Sequence, residues 1–417
     1  MRLRDLTADD YVAYRTMTAG AFSGRFTDIE PQPFDPGETA IGIDSEELPG
    51  GVQGVLAAGA RIRHDRITLG GGVARCGGIG GLAVHPAHRG GGVFRELLTG
   101  VIARCAGEGM ALSMLYPSNP SIYRRLGYQV VASMQKLIVP LVDLQRLPAV
   151  PDRRLVPVTE ETMPRLRAVY RELSAGDNAM LLREPPLFPE TLPGDGWSAL
   201  LLEDAEGTDH GYISWTRRGG EHDGVGLDVH EIFGRTRGDR IALLRSLGSW
   251  STVTELARLR VRTEDPVLDA LPGGRLRPDP GVLPLVMMRV IDTAATLESR
   301  RAPAGLGGAV RLTVEDDTVP AGTCRSAGSW IVSAADGNIT AVSAGSTDSA
   351  GSTAAPSDSE VLGEVRLDIH AASLLLVGGR TVADARRLGL SLSADAPAER
   401  FLDALLAGPR PSVMDAF

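Results

Sequence analysis

Between residues 80 and 128 the hydrophobic positions change their period twice. Leu82, Ala83 and Val84 form a short apolar run stopped by Pro86, and His88-Arg89-Gly90-Gly91-Gly92 follows. Phe94, Leu97, Leu98, Val101, Ile102 and Cys105 then recur at i, i+3, i+4, i+7, i+8 and i+11, with Arg95, Glu96 and Arg104 between them. That spacing predicts a helix with one buried face. Ala111 to Tyr116 is a second apolar run, broken by Pro117-Ser118-Asn119-Pro120, and Ser121 to Tyr128 follows with Tyr123. The expected order is strand, glycine turn, helix, strand and a tyrosine.

Elsewhere the pattern repeats. Arg2 to Thr7 leads into an acid-rich helical stretch, with Thr7 and Asp10 spaced as a capping box. A similar start, Arg154 to Thr159, precedes Glu160, Glu161 and helical spacing through Leu166, Val169, Tyr170 and Leu173. We read an internal duplication, with strands over 198–202, 212–216 and 227–233 and a helix near 240–250. Arg235-Thr236-Arg237-Gly238 falls where the glycine turn of the first copy lies. Asp239 sets a carboxylate where an anion would sit and Arg240 fills a small-residue position, so this second turn is expected to be inactive. Pro140 to Pro151 reads as a linker and Pro272 to Pro284 as the next break. Leu285 to Ile291 is expected to open a third unit, with strands over 309–314 and 329–332, a Ser/Ala/Gly/Thr loop over 343–359, core at Leu374 to Val377, and a helix over 398–406 with Phe401, Leu402, Leu405 and Leu406 inward.

A chain of 417 residues predicts two to three domains at about 150 residues each. Its 43% hydrophobic and 23% charged residues describe globular protein with ample core. A net charge of -9 argues against nucleic acid as a partner and for a cationic substrate. Cys76, Cys105 and Cys324 lack the spacing of a disulfide framework or a metal site, so no metal is expected and a reducing compartment is. No apolar run approaches a membrane span, and Met1 to Asp5 opens a charged segment rather than a signal peptide. The expectation is a cytoplasmic protein with no membrane partner.

Glycines at the start of a helix let a bulky anion approach the backbone, and first-turn amides aided by the helix dipole hold phosphate oxygens. A Walker A loop would need Gly-Lys-Ser/Thr, which does not occur. A dinucleotide fingerprint over Gly78 to Ala83 lacks its helix, because Val84-His85-Pro86 extends a strand and then breaks it. Val84-His85-Pro86-Ala87-His88-Arg89-Gly90-Gly91-Gly92-Val93 instead resembles the Arg-x-x-Gly-x-Gly/Ala turn of the GCN5-related N-acetyltransferases (GNAT). Tyr123, followed by Gly127-Tyr128, matches that family's tyrosine before Gly-Phe or Gly-Tyr. Taken from the residues alone, a ligand-free glycine loop and a half-buried tyrosine with a satisfied hydroxyl stay open as alternatives.

Phe94 in place of the usual small residue, and a final phenylalanine, make the chain similar to one branch, the enhanced-intracellular-survival (Eis) acetyltransferases. The resemblance spans the whole chain. It implies an α/β class with mixed sheets: a catalytic GNAT domain over 1–140, a degenerate GNAT domain over 152–284 and a sterol-carrier-protein-like α+β domain over 285–417. It implies acetyl-CoA as co-substrate, contacted by Leu82, Ala83, Val84, Arg89, Gly90, Gly91, Gly92, Val93, Phe94, Arg95, Ser118 and Asn119. Tyr123 is the implied general acid and the terminal carboxylate of Phe417 the implied general base. Aminoglycoside-like or other primary amines are the implied acceptors, and a homohexamer the implied assembly. Ala416 beside the terminal residue, and the lack of a carboxylate between Phe22 and Asp28, weaken the expectation of polycationic acceptors. Rival readings are a transferase for protein lysines and a lipid or small-molecule carrier with vestigial GNAT domains.

Overall fold

The computed structural model describes residues 2–22, 29–194, 196–218, 225–281, 284–344 and 361–415, which form three sheets. The chain opens with β1 (Leu3–Asp5), α1 (Tyr11–Ala21), β2 (Glu38–Asp44), β3 (Leu56–Leu69), β4 (Gly72–Val84), α2 (Val93–Gly107), β5 (Leu112–Leu115), α3 (Pro120–Arg124) and β6 (Gln129–Ser133). It continues through β7 (Gln135–Pro140), α4 (Leu141–Gln145), β8 (Arg154–Pro157), α5 (Met163–Ser174), β9 (Trp197–Glu203), β10 (Asp209–Arg217), β11 (Val225–Gly234), α6 (Arg237–Leu247), β12 (Leu256–Val261) and β13 (Arg277–Pro278). The last stretch holds β14 (Leu285–Val290), α7 (Thr293–Glu298), β15 (Gly308–Glu315), β16 (Gly328–Ala335), β17 (Asn338–Ser343), β18 (Glu364–Asp368), α8 (Ile369–Leu375), α9 (Val382–Arg387), β19 (Leu392–Ala394) and α10 (Ala396–Leu405).

The first sheet runs β1-β2-β3-β4-β5-β14-β6, the second β13-β7-β12-β11-β10-β9-β8, and the third β17-β16-β15-β18-β19. The first two are built alike, each with four antiparallel strands followed by a parallel neighbour, β4 beside β5 and β11 beside β12. They also exchange strands. β7 leaves the first unit to pair with β12, and β14 returns after the second unit to lie between β5 and β6. The expectation that Leu285 to Val290 opens the third unit is corrected here. Val286, Met287, Met288 and Val290 are buried on both faces of the strand, which suits a central strand and not an edge.

α2 lies on the first sheet and buries Val93, Leu97, Leu98, Val101, Ile102 and Cys105, the periodic face with Phe94 displaced from it. Each such leucine contributes about 1.5–3 kcal/mol on burial. The stretch read as a linker after Pro140 contains α4, whose Leu141 and Leu144 join the core of the second unit. The third sheet shares one continuous core with the first, from Val310, Leu312 and Leu374 to Ile67, Leu69 and Val286. Phe401, Leu402, Leu405 and Leu406 point inward as expected. The loop expected over 343–359 lies outside the described residues from 345 onward. Among the described residues, no helix is long and apolar enough to cross a membrane.

Candidate functional site

The β4 and β5 strands pair in parallel only as far as Ile79 and Leu115, while β4 runs on to Val84. From Gly80 onward the edge of β4 facing β5 is therefore open. A bulge helps to set this divergence: the register against β3 shifts between Gly59 and Arg61. Gly81 sits there at φ +57°, and the Tyr14 hydroxyl donates to its carbonyl at 2.9 Å. A Cβ on Gly81 would lie 2.1 Å from that hydroxyl, so the position admits only glycine.

After β4 a single turn over Pro86–His88 leads to the glycines. The Arg89 Nε donates to the Val84 carbonyl at 3.2 Å, and the His88 ring meets the Ser45 hydroxyl at 2.7 Å, which ties the turn to the β2 end. Gly90 and Gly92 adopt φ +85° and +83°, and nothing would meet a Cβ on either. Their requirement is conformational, and the space they leave lies outward. Gly92 caps α2 without a side chain, so the first-turn amides of this 15-residue helix remain available to an anion at its positive end.

Turn, strand edge and α3 enclose a cavity of about 650 Å³ lined by Leu82, Ala83, Val84, Arg89, Gly90, Gly92, Phe94, Arg95, Ser118 and Tyr123. His88 and Arg125 also line it, so its polar rim carries three arginines and a histidine, fitted to a polyanionic group. A second cavity of about 330 Å³ adjoins it, formed by Ile79, Gly80, Gly81, Leu115, Tyr116 and Pro117. Phe22, Leu82, Ser118 and Tyr123 line both. Tyr123 thus stands at their junction. Its ring is buried edge-on against Phe94, 5.5 Å between centroids, and Tyr128 at 6.2 Å. Burial pushes the Tyr123 phenol above its ordinary pKa, opposed by a contact with Ser118, so the hydroxyl keeps its proton and is a donor at neutral pH.

Most of the expected residues come together, with three qualifications. Val93 is buried in the core. Gly91 and Asn119 do not line the cavity, and the Asn119 side chain instead accepts from the Ser121 amide at 3.0 Å as the α3 cap. Phe417 lies outside the described residues. Two residues earlier in the chain, the Asp415 carbonyl accepts from the hydroxyl of Tyr116, which lines the smaller cavity, at 2.8 Å. Sequence reasoning missed Phe22, His88, Ile122, Arg125 and Leu126. For Arg125 the signal was its place beside the matched tyrosine. No carboxylate among the described residues lines either cavity, and none of their His, Cys, Asp or Glu side chains cluster as a metal site.

The second unit repeats the divergence and closes the anion half of it. β11 and β12 pair in parallel as far as Val229 and Leu259. Where the first copy has its open turn, the buried Asp239 carboxylate accepts from the Thr236 amide at 3.0 Å and pairs with Arg153 at 2.7 Å. The Arg240 guanidinium donates to the Gly234 carbonyl at 2.8 Å, and Arg262 lies 4.2 Å over the Phe233 ring. At the turn's helix start the chain's own carboxylate, Asp239, is thus engaged in a capping box and an ion pair.

Residues 2–131 match the family described as acetyltransferase (GNAT) domain. No curated protein matches the chain. Among solved structures it is similar to a GCN5-related N-acetyltransferase from Kribbella flavida, at 23% identity and TM-score 0.76 over 100% of this chain and 98% of that one. A GCN5-related N-acetyltransferase from Anabaena variabilis aligns over 100% of both chains at 20% identity and TM-score 0.81. Eis1 from Mycobacterium abscessus does so at 20% identity and TM-score 0.71. At such identities the likeness establishes the fold, tandem GNAT-like units followed by a further sheet.

Proposed function

We propose, from the premise that residues 2–131 make the chain an acyltransferase of the GNAT kind, that it moves an acetyl group from acetyl-CoA to a primary amine of a small molecule by direct attack. The observation that carries this reading is Tyr123, a buried proton donor at the junction of the two cavities. The larger cavity, rimmed by Arg89, Arg95 and Arg125, suits the phosphates of the coenzyme, and the open β4 edge suits its amide-bearing arm. The smaller cavity is left for the acceptor.

The thioester supplies an activated acetyl group. As the amine nitrogen bonds to the acyl carbon and the carbon–sulfur bond breaks, Tyr123 donates to the departing sulfur. A phenol with a reference pKa near 10 is a weaker acid than a thiol near 8.5, so a hydrogen bond to growing negative charge describes its role better than full proton transfer. Direct attack is favoured because Cys76 and Cys105 are poor nucleophiles. Both are fully buried, and burial pushes their thiols above the ordinary range.

An alkylamine of pKa near 10.4 is only about 0.04% free base at pH 7, so a group must take its proton. We assign this to the Phe417 carboxylate, supported by the hydrogen bond that ties the Asp415 carbonyl to Tyr116, a residue of the acceptor cavity's wall. Burial must raise its pKa, or water must pass the proton on. With no other carboxylate lining the acceptor side among the described residues, the reading favours amines of low charge over polycations.

Calorimetric titration of acetyl-CoA, followed by thiol release with a small monoamine, an aminoglycoside, a polyamine and a lysine peptide, tests this. Binding that weakens at least tenfold in Arg89→Ala, with turnover on a small amine, is expected. Absence of heat in the intact protein would overturn the reading, and turnover on the peptide alone would move the acceptor to protein lysines.

A further inference from the structure

The two diverging strand pairs face a common segment. One residue beyond the last parallel pair stands Tyr116 in the first unit and Arg260 in the second, after Leu115 and Leu259. The Tyr116 hydroxyl donates to the Asp415 carbonyl at 2.8 Å, and the Arg260 guanidinium donates to the Met414 carbonyl at 2.7 Å. Equivalent positions of the duplicated units thus hold consecutive carbonyls of the tail. We propose that the second unit's splayed strands serve as the seat of the C-terminal tail, with Arg183 and Arg260 as positioning residues that hold residues 414–415 beside Tyr116, which lines the first unit's acceptor cavity.

The seat is built in detail. Met414 is packed among Met163, Leu166, Tyr170 and Phe233. The Asp415 carboxylate pairs with Arg183 at 3.0 Å, and Arg183 also pairs with Glu231, which accepts from the Tyr212 hydroxyl at 2.7 Å. Arg183 lies over the Tyr170 ring at 3.9 Å and is held at φ +54°, a conformation costing a non-glycine residue about 1–2 kcal/mol. Upstream, the Ser412 amide donates to the Asn178 carbonyl at 2.8 Å. A cavity of about 390 Å³ remains between α5 and the tail, with Met414 and Asp415 in its wall beside His230, Glu231 and Arg260. The second unit lost its anion half and kept the half that would face an acceptor, now occupied along one side by its own chain.

This inference rests on the reading of Phe417 as base. A displacement of about 1 Å at a catalytic group lowers a rate by about 10²-fold, so a shift of the support at residues 414–415 is expected to show in the rate. The test uses the full chain with Asp415→Ala and Arg260→Met, each alone and combined with deletion of Phe417. Asp415→Ala leaves Arg183 paired with Glu231 and so spares the fold. Both substitutions are expected to lower kcat at saturating amine roughly ten- to hundredfold, with acetyl-CoA affinity within about twofold and partial recovery in Arg260→Lys. In the Phe417-deleted protein neither should have further effect, because all act through one group. Losses that add to that of the deletion, or that come with equal loss of coenzyme binding, would overturn the positioning role while leaving the base in place. Unchanged kcat on deleting Phe417 would overturn the base reading and this role with it.

Discussion

The Arg289 guanidinium meets the Asp316 carboxylate at 2.5 Å with both side chains shut off from solvent, and it donates at 2.5 Å to the carbonyl of Leu126. Arg289 sits on the returning strand β14, and Asp316 follows β15 of the third sheet. Leu126 lies three residues after Tyr123 and lines the larger cavity. Gly127, at φ +80°, passes so near that a Cβ would be 1.6 Å from the guanidinium. Arg95 of the cavity rim also donates to the Thr318 carbonyl, at 3.0 Å. The third unit is thereby joined to both sides of the site.

Breaking this pair should be costly. Asp316→Ala leaves a buried guanidinium unpaired and is expected to destabilise the fold by about 3–5 kcal/mol. Arg289→Met with Asp316→Leu should lose much less. Denaturant midpoints of the three proteins check the order. Burial works to raise the Asp316 carboxyl, and Arg289 with the Ser326 and Thr318 hydroxyls overcomes it, so the folded value lies below the unfolded one. Its contribution is therefore complete above about pH 4 and is lost as pH falls through the folded value. Stability of the intact protein should drop in that acid window, and the Asp316→Ala protein should lack that part of the drop.

Tyr123→Phe removes the donor at the cavity junction but keeps the ring against Phe94. Turnover should fall about 10²- to 10³-fold with coenzyme affinity little changed. Because burial raises the Tyr123 phenol, its loss of a proton lies above the ordinary value near 10. The rate on a fixed fraction of free amine should therefore show no Tyr123-dependent decline below pH 10. A decline near pH 8 that vanishes in the Phe variant would contradict the assignment.

Gly81→Ala places a methyl against the Tyr14 hydroxyl and demands a left-handed alanine. About 1–3 kcal/mol of stability should be lost, together with coenzyme binding, since the bulge that opens the β4 edge relaxes. Thermal unfolding and calorimetry on one preparation separate the two effects.

Asp239→Ala empties the anion position of the second turn. The coenzyme stoichiometry should stay at one per chain, because Arg240 and Arg262 still occupy the divergence. A second equivalent bound by calorimetry would show that the carboxylate alone had closed that half.

The parts of this fold that are local in sequence were legible there. The glycine turn, the α2 face and the duplicated strand-helix start rest on periodicity and on residues that a left-handed turn demands. Asn119 shows the limit of a motif: asparagine after a strand serves equally as ligand or helix cap, and only the position of the Ser121 amide decides. The place of Leu285 to Val290 was hidden for a different reason. An apolar run states that both faces are covered, and nothing in it names the sheet that covers them. Likewise Tyr116 and Arg260 hold the tail across separations of 299 and 154 residues, a pairing with no local trace.

The strand exchange between the first two units has a consequence for how the protein is made. During synthesis the N-terminal sheet emerges with a gap between β5 and β6, two raw strand edges that must wait for β14 while the whole second unit is translated, a delay on the order of ten seconds. Until then the first sheet cannot close, and proteolysis or a stalled ribosome before residue 285 would release a fragment with an adhesive edge in place of a closed unit.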